Sequence, residues 1–433
     1  MAAHFVNSAI SRSGSKLQGA QGSHELFPIG RLFSPTSTPQ RKRQGAPLRL
    51  DDRRPDRMRS LTDPSISIAG AGPAGLAAAI TLARAGRRVV VHEARNEVGA
   101  RFGGDLQGLE NWTSGDDVLA DLRQLGIATG FEALPCRCGT AYDAWERAYP
   151  VRSAAPLFYM VERGSGPGTL DTALLEQARG LGVEVRFGSR LDRLPGPGIL
   201  AIGPKAADAI AVGYHFDTDM ADGFWFICND ELAPGGYAYL LIMYGRGTVK
   251  SCMFSGFKQE KLYVERTLDA FRRLAGLRMN NPQAHGGVGN FRLPVTALSG
   301  GHPVAGEQAG FQDTLFGFGM LFAIRSGVLG ARALLEAGSY DKLWQRDLRP
   351  LLAASVVNRA LYDVAGNRGY RALLRMQSGH DARSFLRGLC RSSWYARLLF
   401  PWAQRRYHSA RHDESCNHVN CACVWCRCGS EYA

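Results

Sequence analysis

Between two apolar runs the chain reads Gly70-Ala71-Gly72-Pro73-Ala74-Gly75. The spacing G-x-G-x-x-G has a physical purpose there. The first glycine permits a tight turn, the second lets backbone approach a pyrophosphate, and the third lets a helix pack closely on a strand. Pro73 and Ala74 open the helix, whose first N–H groups would face the phosphate charge. Glu93 lies at the end of the next apolar run, placed to accept hydrogen bonds from a ribose. A second set of chemical groups closes the chain. Cys416, His418, Cys421, Cys423, Cys426 and Cys428 put six soft or borderline ligands within thirteen residues. Tetrahedral zinc needs four such ligands, and an iron–sulfur cluster four cysteines. Metal binding is therefore expected of this tail, with zinc preferred to iron–sulfur; a disulfide tangle or a reactive thiol tail are the alternatives. Cys136 and Cys138 could join the tail in space.

The elements that position the glycines are legible. Ser65–Ala69 reads as a short buried strand, Ala74–Ala85 as a helix ended by Gly86, and Arg88–His92 as a second strand. This strand–helix–strand opening predicts a doubly wound parallel sheet. Leu170–Leu181 is a further helix, Val183–Phe187 a strand, and Ile199–Gly203 a strand ending in glycine. Between 209 and 257 the texture changes to alternating aromatic and β-branched residues. Phe224–Cys228 and Tyr237–Tyr244 read as antiparallel strands, with turns at Pro234-Gly235-Gly236 and Gly245-Arg246-Gly247. Leu321–Ala337 is helical, and arginine-rich helices follow to about Tyr407.

Late in the chain, Pro303-Val304-Ala305-Gly306-Glu307 reads as a strand into a turn, followed by Gly310, Asp313, Gly317, Gly319 and a helix carrying Ala323, Ser326 and Gly327. This resembles the second cofactor motif of glutathione-reductase-type flavoproteins. Pro234-Gly235-Gly236-Tyr237-Ala238-Tyr239 resembles the Pro-x-Gly-Tyr-x-Trp element of their geranylgeranyl reductase branch, with Tyr239 in place of Trp. The resemblance spans about 66–335. It implies that the dinucleotide is FAD, that Gly306, Gly317 and Gly319 shape the flavin end, and that Glu307, where the group has Asp, binds the ribityl chain. Arg101 could neutralise the pyrophosphate. Trp112 could wall the flavin or substrate pocket, or be a core tryptophan. No residue stands out as a general acid or nucleophile, which suits a reaction whose chemistry the cofactor carries.

The expected architecture is α/β. A doubly wound parallel-sheet FAD-binding domain takes 64–208 and 291–337, an inserted antiparallel β substrate domain takes 209–290, a helical extension takes 338–411, and the Cys/His-rich tail takes 412–433. Residues 1–63 lack periodicity and are expected to be disordered; they read as a targeting segment or as an artefact of a true start at Met58. The 433 residues carry a net charge of +13 and Arg outnumbers Lys 45 to 7, yet 1–57 hold ten basic and four acidic residues. The body is only mildly basic, with no basic stripe interleaved with aromatics, so no nucleic-acid partner is expected. No run of apolar residues reaches spanning length, since Thr314–Leu335 is interrupted by Arg325. The basic aromatic stretch 385–407 could lie on an anionic membrane surface or dock on the protein's own body. A cytoplasmic flavoprotein oxidoreductase is expected, reducing a carbon–carbon double bond of a prenyl or other hydrophobic substrate with electrons from NAD(P)H or a donor protein. An aromatic-ring monooxygenase and a flavin- and metal-binding sensor or scaffold are the rivals.

Overall fold

The computed structural model describes residues 65–406 except 205–207, 292 and 392. The expected tail ligands Cys416, His418, Cys421, Cys423, Cys426 and Cys428 therefore lie outside the described residues.

Strand β1 (Ile66–Ala69) leads into α1 (Pro73–Arg84) and β2 (Val89–His92). Eight of the twelve residues of α1 are buried, which is why its face-to-face contrast is weak and seven of the twelve are alanine or leucine. Next come β3 (Asp105–Glu110), α2 (Val118–Gln124), β4 (Leu134–Cys136), β5 (Cys138–Asp143), β6 (Ala148–Arg152), β7 (Phe158–Arg163) and α3 (Leu170–Gly180). Strands β8 (Glu184–Arg186) and β9 (Gly198–Leu200) complete a parallel sheet ordered β8-β2-β1-β9, and Val304 bridges to Leu200 in parallel at its edge.

The second half of the fold is a seven-stranded sheet. It contains β10 (Ala209–Asp217), β11 (Gly223–Cys228), β12 (Tyr237–Met243) and β13 (Arg246–Met253). Helix α4 (Glu260–Ala275) follows, and β14 (Asn280–Gly289) then adds an edge, giving the order β14-β10-β13-β12-β11-β5-β6. All its pairs are antiparallel except β11 with β5. Here the domain boundaries differ from the sequence reading. Residues 64–208 read as part of the nucleotide domain, yet β5 and β6 extend the large sheet and β3-β7-β4 form a small antiparallel sheet of their own. The β5–β6 hairpin escaped notice because its turn, Ala144 to Arg147, holds no glycine or proline; Glu146 takes the left-handed conformation, with φ of 61°. The β12–β13 turn also shifts. Met243 pairs with Arg246, so the loop is Tyr244-Gly245, both at positive φ as a two-residue hairpin of this twist requires.

The two-stranded hairpin β15 (Leu298–Ser299) and β16 (His302–Pro303) returns the chain to the parallel sheet, and α5 (Met320–Leu335) packs on α1. The close approach is made by glycine: a Cβ on Gly327 would stand 2.0 Å from the Ala74 carbonyl oxygen. Four more helices follow among the described residues, α6 (Tyr340–Asp347), α7 (Arg349–Ser378), α8 (Ala382–Cys390) and α9 (Trp394–Arg406). Fully buried Arg359 of α7 ties them to the large sheet. It donates to the carbonyls of Gly235 and Leu315 and pairs with Asp363, while Tyr362 donates to the Gly236 carbonyl.

Candidate functional site

Two of the three turn glycines are fixed by close backbone approach. Gly70 sits at φ of 101°, where a Cβ would meet the Ala201 carbonyl oxygen at 2.2 Å, and a Cβ on Gly75 would meet the Gly70 oxygen at 1.9 Å. Both are packing requirements. A Cβ on Gly72 would meet nothing within 4 Å. Gly72 is instead the N-cap of α1, with no side chain capping the helix. Its open face is the wall of a cavity of about 1350 Å³ that also reaches Glu93, Arg101, Glu307 and Gly319. Gly319 is the N-cap of α5, likewise without a side-chain cap. Two helix N-termini, each with unsatisfied N–H groups and the positive end of a helix dipole, thus face one cavity.

The expected acidic residues stand in this wall with protein partners. The Glu93 carboxylate accepts from the Ala71 N–H at 2.8 Å and the Arg95 N–H at 2.9 Å. Each oxygen has a second lone pair, so contact with a ribose is compatible with these bonds. Arg101 and Glu307, 206 residues apart in sequence, form an ion pair at 2.7 Å. Gly306, at φ of 66°, receives the Ser326 side chain on its N–H and faces the Ala74 methyl, so the second glycine motif is built against the first helix. Gly317, also at positive φ, offers its carbonyl to Gln312, whose Oε1 is buried with no partner in the cavity wall. A pyrophosphate cradle, two open helix ends and an orphaned buried acceptor are what a bound dinucleotide would use, and FAD fits these groups.

Beyond the glycines the cavity turns apolar, walled by Trp112, Phe158, Phe224, Tyr239, Leu374 and Phe385. Its volume exceeds the roughly 300–1,000 Å³ of an ordinary small-molecule pocket. Trp112 is both a core residue and a wall residue: it is 3% exposed and meets Phe318 edge to face at 4.7 Å. Helices α7 and α8 close this end with Leu373, Gln377 and Leu386. Cys228 and Cys252 also line it, but burial pushes their thiols up to about 11 and about 12, so neither is a thiolate. Cys136 is buried with its thiol pushed up to about 12, whereas Cys138 is exposed.

Sequence reading missed a polar row in the cavity wall. Tyr239 of β12 pairs with Lys250 of β13, Lys250 with Gly213 of β10, and Gly213 with His285 of β14. Directly opposed residues share a face of a sheet. Because Gly213 has no side chain, Lys250 and His285 meet across it, Nζ to Nδ1 at 2.9 Å. The ammonium also pairs with Asp105 at 2.7 Å, and Asp105 receives Gln107 and His215 as well. Burial alone would raise the Asp105 carboxyl, but the Lys250 charge and these hydrogen bonds outweigh it and hold the carboxyl well below its ordinary range. Burial and the Lys250 charge depress His285, keeping it neutral. With Nδ1 accepting from Lys250, Nε2 carries the hydrogen and donates to the Arg101 carbonyl at 2.9 Å. Asp105, His215 and His285 are close enough to hold a metal ion, but Lys250 Nζ already supplies the positive charge between Asp105 and His285. One signal was available: in a chain with seven lysines, Lys250 follows Val249 and precedes Cys252 and Met253 in a segment with no other charge after Arg246.

Comparisons with known proteins agree with this geometry. The profile of the NAD(P)-binding Rossmann-like domain matches residues 68–105. No curated protein sequence matches the chain. Among solved structures, a geranylgeranyl bacteriochlorophyll reductase-like protein from Thermoplasma acidophilum superposes with a TM-score of 0.61 at 17% identity, over 79% of this chain and 98% of that one. A flavin-dependent brominase gives 0.56 at 16% identity over 79% and 99%. A myxobacterial chondrochloren halogenase, FAD-dependent, gives 0.52 at 15% over 79% and 96%. At such identities the likeness establishes a shared fold: a parallel Rossmann-like sheet with antiparallel sheets and a helical C-terminal region.

Proposed function

We propose that this protein is an FAD-dependent oxidoreductase that reduces a carbon–carbon double bond of a prenyl or similarly apolar substrate. The observation that carries the reading is a continuous cavity, glycine-lined with two open helix N-termini at one end and aromatic at the other. Gly70 to Gly75 and Glu93 would hold the adenosine and pyrophosphate, with Arg101 beside the phosphates; Glu307, Gly317 and Gly319 would hold the flavin end. Bound there, FAD would supply two-electron chemistry, taking hydride from NAD(P)H or electrons from a donor protein and giving hydride to the double bond. Saturation also requires one proton on the neighbouring carbon. Lys250 Nζ stands in the cavity wall as the donor of that proton, positioned by Asp105 and His285, and solvent would return the proton between turnovers. The aromatic wall excludes water and receives the apolar chain. The tail beyond residue 415 would hold a structural zinc.

The test begins with the visible spectrum of the purified protein, which should show flavin released as FAD on denaturation. The dithionite-reduced protein is then mixed anaerobically with geranylgeranyl substrates, and products are weighed by mass spectrometry. A gain of two hydrogens per saturated bond supports the reading. Substrate-dependent oxygen consumption with an oxygen-bearing product would establish a monooxygenase instead. Tight FAD and zinc with no turnover under any donor would leave a sensor or scaffold.

A further inference from the structure

The basic aromatic stretch at the C-terminal end divides into two faces. One face of α9 is docked: Tyr395, Ala396 and Ala403 are buried against Ala354, Val356, Val357 and Ala360 of α7. The other carries Trp394, Leu398 and Trp402, which are 68%, 70% and 39% exposed. They are spaced i, i+4, i+8, so they form one stripe about 12 Å long at 1.5 Å per residue. Large apolar side chains exposed in a contiguous row mark an interaction surface. Arg391, Arg397, Arg405 and Arg406 flank the stripe and are exposed, and the Arg406 guanidinium lies 5.5 Å from the Trp402 ring. No Asp or Glu occurs between Asp381 and Asp413.

We infer that α9 docks this protein on an anionic lipid surface, with Trp394, Leu398 and Trp402 entering the headgroup boundary and the flanking arginines meeting lipid phosphates and carboxylates. The charge selects this occupant. A second copy would bring a like-charged surface against the first, whereas an anionic bilayer neutralises it. Tryptophan suits such a boundary because its ring is apolar and its N–H seeks a polar partner. A helix of thirteen residues is too short to cross a bilayer and lies in its plane, and no helix among the described residues is long and apolar enough to cross one. The inference stands apart from the flavin reading. If that reading also holds, docking brings α8, which lines the cavity and precedes α9 by three residues, to the lipid from which an apolar substrate would come.

The experiment is sedimentation of the full-length protein with vesicles of phosphatidylcholine alone or mixed with phosphatidylserine. Partition should be at least tenfold greater onto the mixed vesicles, weaken with added salt, and be accompanied by quenching of tryptophan fluorescence by brominated lipid. Trp394→Ser, Leu398→Ser and Trp402→Ser together should abolish partition without altering the circular dichroism spectrum, since all three side chains are exposed. Arg397→Gln with Arg405→Gln should remove the preference for anionic lipid. Equal partition onto both vesicles, or binding that survives the triple substitution, would overturn the inference. So would a dimer in solution that the triple substitution dissociates, or lipid binding that appears only when residues 407–433 are deleted.

Discussion

At the scale of single residues, the glycines separate binding from folding. A side chain at Gly72 meets empty space, so Gly72→Val should leave the thermal unfolding of the apoprotein unchanged and abolish flavin binding, read by the visible spectrum. Gly75→Ala drives a methyl to 1.9 Å from a backbone oxygen and should instead destabilise the fold by about 1–3 kcal/mol or more, measured by denaturant unfolding. Glu307→Ala should weaken FAD by about tenfold, because a lost hydrogen bond to a buried polar ligand costs about 1–3 kcal/mol; unchanged affinity in a flavin titration would show that Glu307 does not touch the cofactor. Lys250→Met strands the Asp105 carboxylate in the interior and should cost about 3–5 kcal/mol, largely recovered when Asp105→Asn is added. The pH dependence follows from His285. Its folded value lies below 6.5, so as pH falls the unfolded chain takes up the proton first and stability drops below about pH 6.5. His285→Asn should flatten the Tm profile between pH 8 and 5 by that share. Asp105 behaves oppositely in range: its folded value is depressed, so its contribution persists through mild acid and is lost only below the ordinary carboxylate range.

At the scale of elements, α1 and α5 were legible because both have a strong apolar composition and glycines where they begin or touch. The strands of the large sheet were only partly legible: β11 and β12 show aromatic and β-branched runs, whereas β5, β6 and β14 are short or polar. Strand β14, Asn280–Gly289, is exposed along most of its length and holds three glycines, so its pairing with β10 has no hydrophobic signature. Helix α7 contains a break that no proline announces. Gly366 adopts φ of 55° and ψ of −166°, a conformation essentially reserved for glycine. The break lies between Arg359 and Tyr362, which grip the large sheet, and Leu373 and Leu374, which close the cavity. Gly366→Ala should cost about 1–3 kcal/mol in chemical denaturation. A stability loss confined to a few tenths would show that the break is relaxed by the alternative helix path.

At the scale of the whole molecule, the cavity is assembled from residues 70 to 386, drawn from the parallel sheet, the large sheet and the helical extension together. The glycine motifs that would hold FAD lie between Gly70 and Gly319, far from the cysteine tail in sequence. Deleting 416–428 should therefore remove bound zinc or iron, read by elemental analysis of protein purified anaerobically, and leave the flavin spectrum intact. A metal held by four ligands of so short a segment would itself supply the energy that orders it. Metal retained after the deletion would move the site elsewhere; metal absent from the intact protein would leave a redox-active thiol tail.

The sequence by itself determined the parallel βαβ opening, the glycine turn Gly70–Gly75, the place of Glu93 after β2 and the later run of glycines, because these are local. A turn needs its glycine, and a helix its composition, whatever the rest of the chain does. Only the tertiary structure decided that Arg101 meets Glu307 across 206 residues and that two helix ends share one cavity. It also decided that Lys250 and His285 touch over the gap left by Gly213. Those juxtapositions depend on strand register and sheet order, which long-range pairing fixes and no short window of residues encodes.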